Sequence, residues 1–162
     1  MSLTLETMAH RHSEQLLASI DQMPQIGDLV GQLSPADLVL RLEGLTTFLN
    51  QVLIPHLEAA ERALYPGLER MFQSVHSMAP LRREHAEIRR ATLEIGRLAE
   101  GAKSRPISAG QTLVLRRVIF QLYALLKVHL AEEQVYLNIL DRRESTEMAE
   151  ALAAAMSHPG SL

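Results

Sequence analysis

Four of the seven histidines stand where apolar residues are expected. His12, His56, His85 and His129 each fall in the apolar stripe of a different amphipathic segment. His12 and His56 are 44 residues apart, and so are His85 and His129, which reads as two helix pairs of similar design. A buried imidazole needs a partner, and the neighbouring stripe residues are mostly aliphatic. Four core histidines with four separate hydrogen-bond partners is the bland reading. One shared metal ion satisfies all four rings at once and is the preferred reading. Glu133 follows His129 by one helical turn, so both side chains can reach the same ion. Histidine with carboxylate suits iron, manganese or zinc, and the absence of cysteine excludes thiolate sites and disulfides. His10 is about 200° around the helix from His12 and is read as solvated. His76 lies in a connection and His158 in the tail. Tyr136, on the face of His129 and Glu133, is read as a core tyrosine, with donation to a ligating carboxylate as the alternative.

Four helices must position these groups. The first is expected from about Leu3 to Met23, with Leu5, Met8, His12, Leu16, Ile20 and Met23 on one face and Pro24 as its stop. A loop containing Gly27 and Gly31 leads to Ser34-Pro35-Ala36-Asp37, a cap, a first-turn proline and a first-turn acid. The second helix presents Leu38, Leu42, Leu45, Leu49, Val52 and His56. Pro55 is expected to distort it, and Pro66-Gly67 with the stretch Phe72–Ala79 to end it. A third helix runs from near Pro80 to Gly101 with the stripe Leu81, His85, Ile88, Thr92, Ile95 and Ala99. After the linker Lys103–Pro106, Ser108 and Gln111 form a capping box. The fourth helix carries Leu115, Val118, Leu122, Leu125, His129, Glu133, Tyr136 and Leu140. Glu147–Met156 could form a short fifth. The expected fold is all-α, an up-down-up-down four-helix bundle in one domain over 1–162, with its core at about 3–143 and an extension over 144–162.

Composition agrees. The chain of 162 residues is 47% apolar and only 4% aromatic, enough for one core and rich in helix formers. A net charge of -3 gives no basic surface for nucleic acid. No stretch is uncharged and long enough for a bilayer, and the start lacks a signal-peptide pattern, so a cytoplasmic location is expected. Glu-x-x-His, His-Glu-x-x-His, Cys-x-x-Cys-His and phosphate-binding glycine loops are all missing.

The order His, His-x-x-x-Glu, His, His-x-x-x-Glu on successive helices resembles the hemerythrin-like, or HHE cation-binding, family. The resemblance rests on His56-Leu-Glu-Ala-Ala-Glu-Arg-Ala-Leu-Tyr-Pro66, Arg83-Glu-His85-Ala-Glu-Ile-Arg-Arg90 and His129-Leu-Ala-Glu-Glu-Gln-Val-Tyr136, and covers about residues 5–140. It implies a bundle enclosing two irons bridged by carboxylates, with dioxygen, nitric oxide or peroxide as ligand, or a role in iron sensing or storage. By position it implies His12, His56, His85 and His129 as terminal ligands and Glu133 as a bridging carboxylate. Two residues depart from the pattern. Arg89 stands where the oxygen carriers have a second histidine, which argues against reversible oxygen carriage. Ala60 stands where the first His-x-x-x-Glu requires its glutamate. Glu61, next door, is the nearby substitute, but a five-residue step lies about 140° from His56 on an ideal helix and needs a local distortion.

The expected metal set is therefore His12, His56, Glu61, His85, His129 and Glu133, holding two irons, with one iron, zinc or manganese as alternatives. The expected partner is a small diatomic or peroxide ligand, with no nucleic acid or membrane, on a monomer or homodimer. Competing expectations are a metal-free bundle acting as an interaction or sensory module, a peroxide-disproportionating di-iron enzyme, and a bis-histidine haem protein.

Overall fold

The computed structural model describes residues 16–141, with side chains through residue 139. The described residues form helices and no strand. Helix α1 covers 16–20 of this range. The expected starting part of the first helix and the fifth helix over 147–156 lie outside the described residues. Pro24 does not simply stop a helix: it sits in the first turn of a short one, α2, Met23–Leu29. Proline suits that position because the first turn leaves its backbone donors unused. Gly27 on α2 packs closely on Phe120: a Cβ there would lie 2.9 Å from Cε2 of that ring. Gly31 then turns the chain at φ +92, a conformation that side-chain-bearing residues rarely adopt.

Helix α3, Pro35–Phe48, starts as expected, with Ser34 Oγ accepting from the Asp37 N–H at 3.2 Å. Beyond it the helix continues without interruption through a π-helical turn Leu49–Leu53, α4 (Ile54–Ala59), a second π-helical turn Ala60–Leu64, and α5 (Tyr65–Met71). Each π turn ends two residues before a proline, Pro55 and Pro66. A proline offers no N–H to the carbonyl four residues back, and its ring crowds that carbonyl. The backbone widens instead: Ile54 N–H reaches the Leu49 carbonyl and Tyr65 N–H the Ala60 carbonyl, five residues back in both cases. The extra residue shifts the inward face, so Leu53 rather than Val52 is buried. Pro66-Gly67 is accommodated inside this helix, which ends in the turn where Gln73 takes φ 53.

Helix α6 spans Ala79–Ser104. Gly101 lies within it rather than ending it. The end comes at Arg105, which is extended because a residue before proline avoids the helical region. Its expected stripe Leu81, His85, Ile88, Thr92, Ile95 and Ala99 is buried throughout. Helix α7, Ala109–Asp141, opens on the expected reciprocal cap, with Gln111 N–H to Ser108 Oγ at 3.2 Å and Ser108 N–H to Gln111 Oε1 at 2.8 Å. Ile119 and Leu126 are its buried residues where Val118 and Leu125 were expected; the latter two pack at the core margin.

The helices alternate in direction. Contacts of the first segment with α7 descend as Asp21–Lys127, Gly27–Phe120 and Gly31–Thr112. The second and third helices pair Glu43 with Lys103 and Glu61 with Arg89, again in opposite order. This is the up-down-up-down helical bundle. Its core has two apolar clusters. The larger includes Leu53, Leu57, Ile88, Leu126 and Leu130; the smaller contains Ala59, Ala60, Leu64, Tyr65, Leu68, Met78 and Leu81. His56, His85, His129 and Glu133 occupy the layer where these clusters meet.

Candidate metal centre

His56, His85, His129 and Glu133 are, with Thr92, the buried polar residues of the described chain. Sequence reasoning placed all four on inward faces, and the fold brings them together from three helices. His56 Nε2 lies 2.9 Å from Glu133 Oε2, linking α4 to α7 across 77 residues. His85 Nε2 lies 3.1 Å from His129 Nε2, with the ring centroids 4.7 Å apart. His12 lies outside the described residues. His76 is exposed, as expected.

Glu61 is near the layer but on its outer side. Its Oε1 accepts from His85 Nδ1 at 2.7 Å and from Arg89 Nη1 at 2.9 Å. Arg89, at the position of the expected family histidine, thus pairs with Glu61. The π turn that begins at Ala60 supplies the distortion a five-residue step requires. Two further residues went unread in the sequence. Glu84 Oε2 accepts from His129 Nδ1 at 2.8 Å, and Tyr65 Oη lies 2.8 Å from His85 Nε2. Glu84 is adjacent to His85 in the chain, and nothing local signals that it crosses to α7. Tyr65 shifts onto the inner face only because of the π turn before it. Tyr136 packs edge-on against Phe72 at 6.2 Å and makes no contact with Glu133 that would orient it.

The donor pattern has a chemical consequence. A carboxylate can only accept, so His85 and His129 each donate from Nδ1, to Glu61 and Glu84. In a neutral ring, Nε2 then carries a lone pair. The Tyr65 hydroxyl donates to that of His85. Two Nε2 lone pairs 3.1 Å apart repel unless positive charge lies with them, either a proton or a metal ion. Burial outweighs the opposing pull of Glu61 and pushes His85 down to about 4, with His129 adding to the shift, so its ring is neutral near pH 7. Burial opposes the charge on Glu133, but the charge and hydrogen bond of His56 prevail and hold its carboxyl below the ordinary range. Glu61 is held low in the same sense, burial being overcome by Arg89 and His85. Burial and the surrounding carboxylates raise the Tyr65 phenol far above its usual value. Glu133 Oε1 and Thr92 Oγ1 are buried without a hydrogen-bond partner.

Among the described residues no three such side chains already point at one spot as ligands do; they contact each other in pairs. The donor set nonetheless fits a cation. Donors bound at about 2.0–2.2 Å and at right angles lie roughly 3 Å apart. The contacts of 2.8 Å and 3.1 Å at His85 Nε2 match that spacing. Both imidazoles have their far nitrogens fixed by carboxylates, the arrangement that orients histidine ligands.

The depressed value for His85 sets an acid limit for the metal-free protein. The unfolded chain takes up a proton below about 6.5, and the native ring does so only near 4. Stability is therefore full above 6.5 and falls as pH drops toward 4, by on the order of 3 kcal/mol for this ring. Glu61 and Glu133 add losses of the same sign below 4.5. Chelated protein unfolded in urea at pH 7 and pH 5 should show a lower midpoint at pH 5. An unchanged midpoint would remove His85 as a buried neutral ring.

The class of protein is a helical bundle with a buried layer of histidines and a carboxylate. Residues 3–140 match the hemerythrin HHE cation-binding domain, which is most of the chain, and the protein belongs to that family. Separate searches among curated proteins and solved structures found no match. No described helix is long and apolar enough to cross a membrane.

Proposed function

We propose that this chain holds two iron ions in the buried layer and uses them to bind or react with a small oxidant, dioxygen, nitric oxide or peroxide. His56, His85, His129 and Glu133 are the ligands among the described residues; His12, a ligand by the sequence pattern, lies outside them. Glu61, read from the sequence as a sixth ligand, is reassigned here to orienting His85, because its carboxylate faces Nδ1 and Arg89. Glu84 does the same for His129. The observation that carries the reading is the pair of facing Nε2 atoms in a fully buried layer, both rings being committed at Nδ1 to carboxylates. Two ions are supported by the donors falling into two groups, His85 with His129 and His56 with Glu133.

Iron held by nitrogen and oxygen donors supplies the affinity and electron chemistry for such oxidants when bound. The protein's part is positional. Leu53, Leu57, Ile88, Leu126 and Leu130 close one side of the layer, and Leu64, Leu68 and Leu81 the other, so bulk water is kept from the donors. Elemental analysis of protein expressed with iron should find about two irons per chain. Alanine at His56, His85 or His129 should lower the content, and alanine at His76 should not. Colourless wild-type protein without metal, after expression and reconstitution with iron, would leave the metal-free interaction module as the reading.

A further inference from the structure

We infer that Tyr65 is itself a metal ligand, binding through its phenolate oxygen beside His85 and His129. The inference rests on the metal reading above and deepens it. Three observations lead to it.

The first is placement. Tyr65 is fully buried, and its Oη is the only side-chain oxygen among the described residues recorded within hydrogen-bond distance of His85 Nε2, at 2.8 Å. The ring is fixed from two sides. Its centroid lies 5.2 Å from that of His85, and the Arg82 guanidinium covers it at 5.3 Å.

The second is competition for one lone pair. Tyr65 donates its proton to His85 Nε2, the atom a metal must take, because Nδ1 already donates to Glu61. Metal binding removes the phenol's acceptor. A phenol oxygen with no solvent contact is then left unpaired, which is costly. Loss of the proton and bonding to the same ion restore a partner, and the proton leaves to solvent as metal binding releases protons generally.

The third is charge. Glu133, the carboxylate inside the layer, sits on His56. Glu61 and Glu84 face the outer nitrogens of His85 and His129. The His85–His129 group thus presents two imidazole nitrogens toward the ion, its carboxylate contacts lying at the outer nitrogens. Ala60 stands where the sequence pattern calls for a glutamate, and it is buried. A phenolate supplies the missing anionic oxygen.

Ferric loading tests this directly. A phenolate bound to ferric iron gives an intense visible charge-transfer band, and resonance Raman excitation in that band brings up tyrosine ring modes. Wild-type protein loaded with ferric iron should show both, and the ring modes should shift when tyrosine is ring-deuterated. Tyr65→Phe should lose both and bind iron at least roughly tenfold more weakly. The chain has three tyrosines, so Tyr123→Phe and Tyr136→Phe, which should keep the signature, assign it to Tyr65 even if Tyr65→Phe folds poorly. Wild-type protein that binds iron without the signature overturns the phenolate ligand and leaves the metal centre standing. A signature that survives Tyr65→Phe, or vanishes with Tyr123→Phe or Tyr136→Phe, also overturns it. Wild-type protein that binds no iron overturns both readings.

Discussion

Removing iron should lower the melting temperature by about 5–15 °C. A ligand that binds only the folded state stabilises it by about 2.7–4.1 kcal/mol at 100 to 1,000 times its dissociation constant. For a chain of this size each kcal/mol is worth about 2–4 °C. The physical source is the crowding of lone-pair acceptors in the buried layer. Without a cation, the facing Nε2 atoms of His85 and His129 and the unpartnered Glu133 Oε1 remain in an apolar surrounding. In the unfolded chain these groups are scattered and hydrated, so a metal gains little there. Melting curves of iron-loaded and chelated protein, with metal content measured on each sample, provide the check. Superimposable curves would remove the stabilising role of the metal. The gap should also narrow in acid, because protons compete for the histidine donors.

Replacing Glu133 should separate folding from metal binding. Glu133→Ala leaves His56 Nε2, itself buried, without its 2.9 Å partner. Leaving a buried hydrogen-bonding group without its acceptor costs about 1–3 kcal/mol, and more where that acceptor is a carboxylate. That is a sizeable part of the roughly 5–15 kcal/mol that holds a domain folded. Glu133→Gln behaves differently. Its amide oxygen still accepts from His56, so the metal-free fold should lose far less. It carries no negative charge, however, and iron affinity should fall by at least roughly 100-fold. Urea unfolding of the metal-free variants and iron titration of each give the two readouts. A glutamine variant that binds iron as tightly as wild type would show that Glu133 is a structural partner of His56 and no ligand.

Much of this was legible in the sequence because it depends on periodicity. The stripe on α6 from Leu81 to Ala99 repeats at three- and four-residue steps, and every member is buried. The caps at Ser34 and at Ser108 with Gln111 are local hydrogen bonds between residues three apart, so their residue types suffice to foresee them. The inward placement of His56, His85, His129 and Glu133 follows from the same periodicity.

What the sequence could not determine is which nitrogen of each ring faces which neighbour. That depends on contacts such as His129 with Glu84, from side chains 45 residues apart. Glu61 and Tyr65 depend on something subtler. An ideal helix turns Glu61 well away from His56. The π turns before Pro55 and Pro66 add a residue to the inward face, bringing Leu53 and Tyr65 inside and Glu61 to the edge. Proline announces that a helix must adjust. Only packing against α6 and α7 decides whether it bends, breaks or widens, because the cost of each depends on what the displaced side chains then meet.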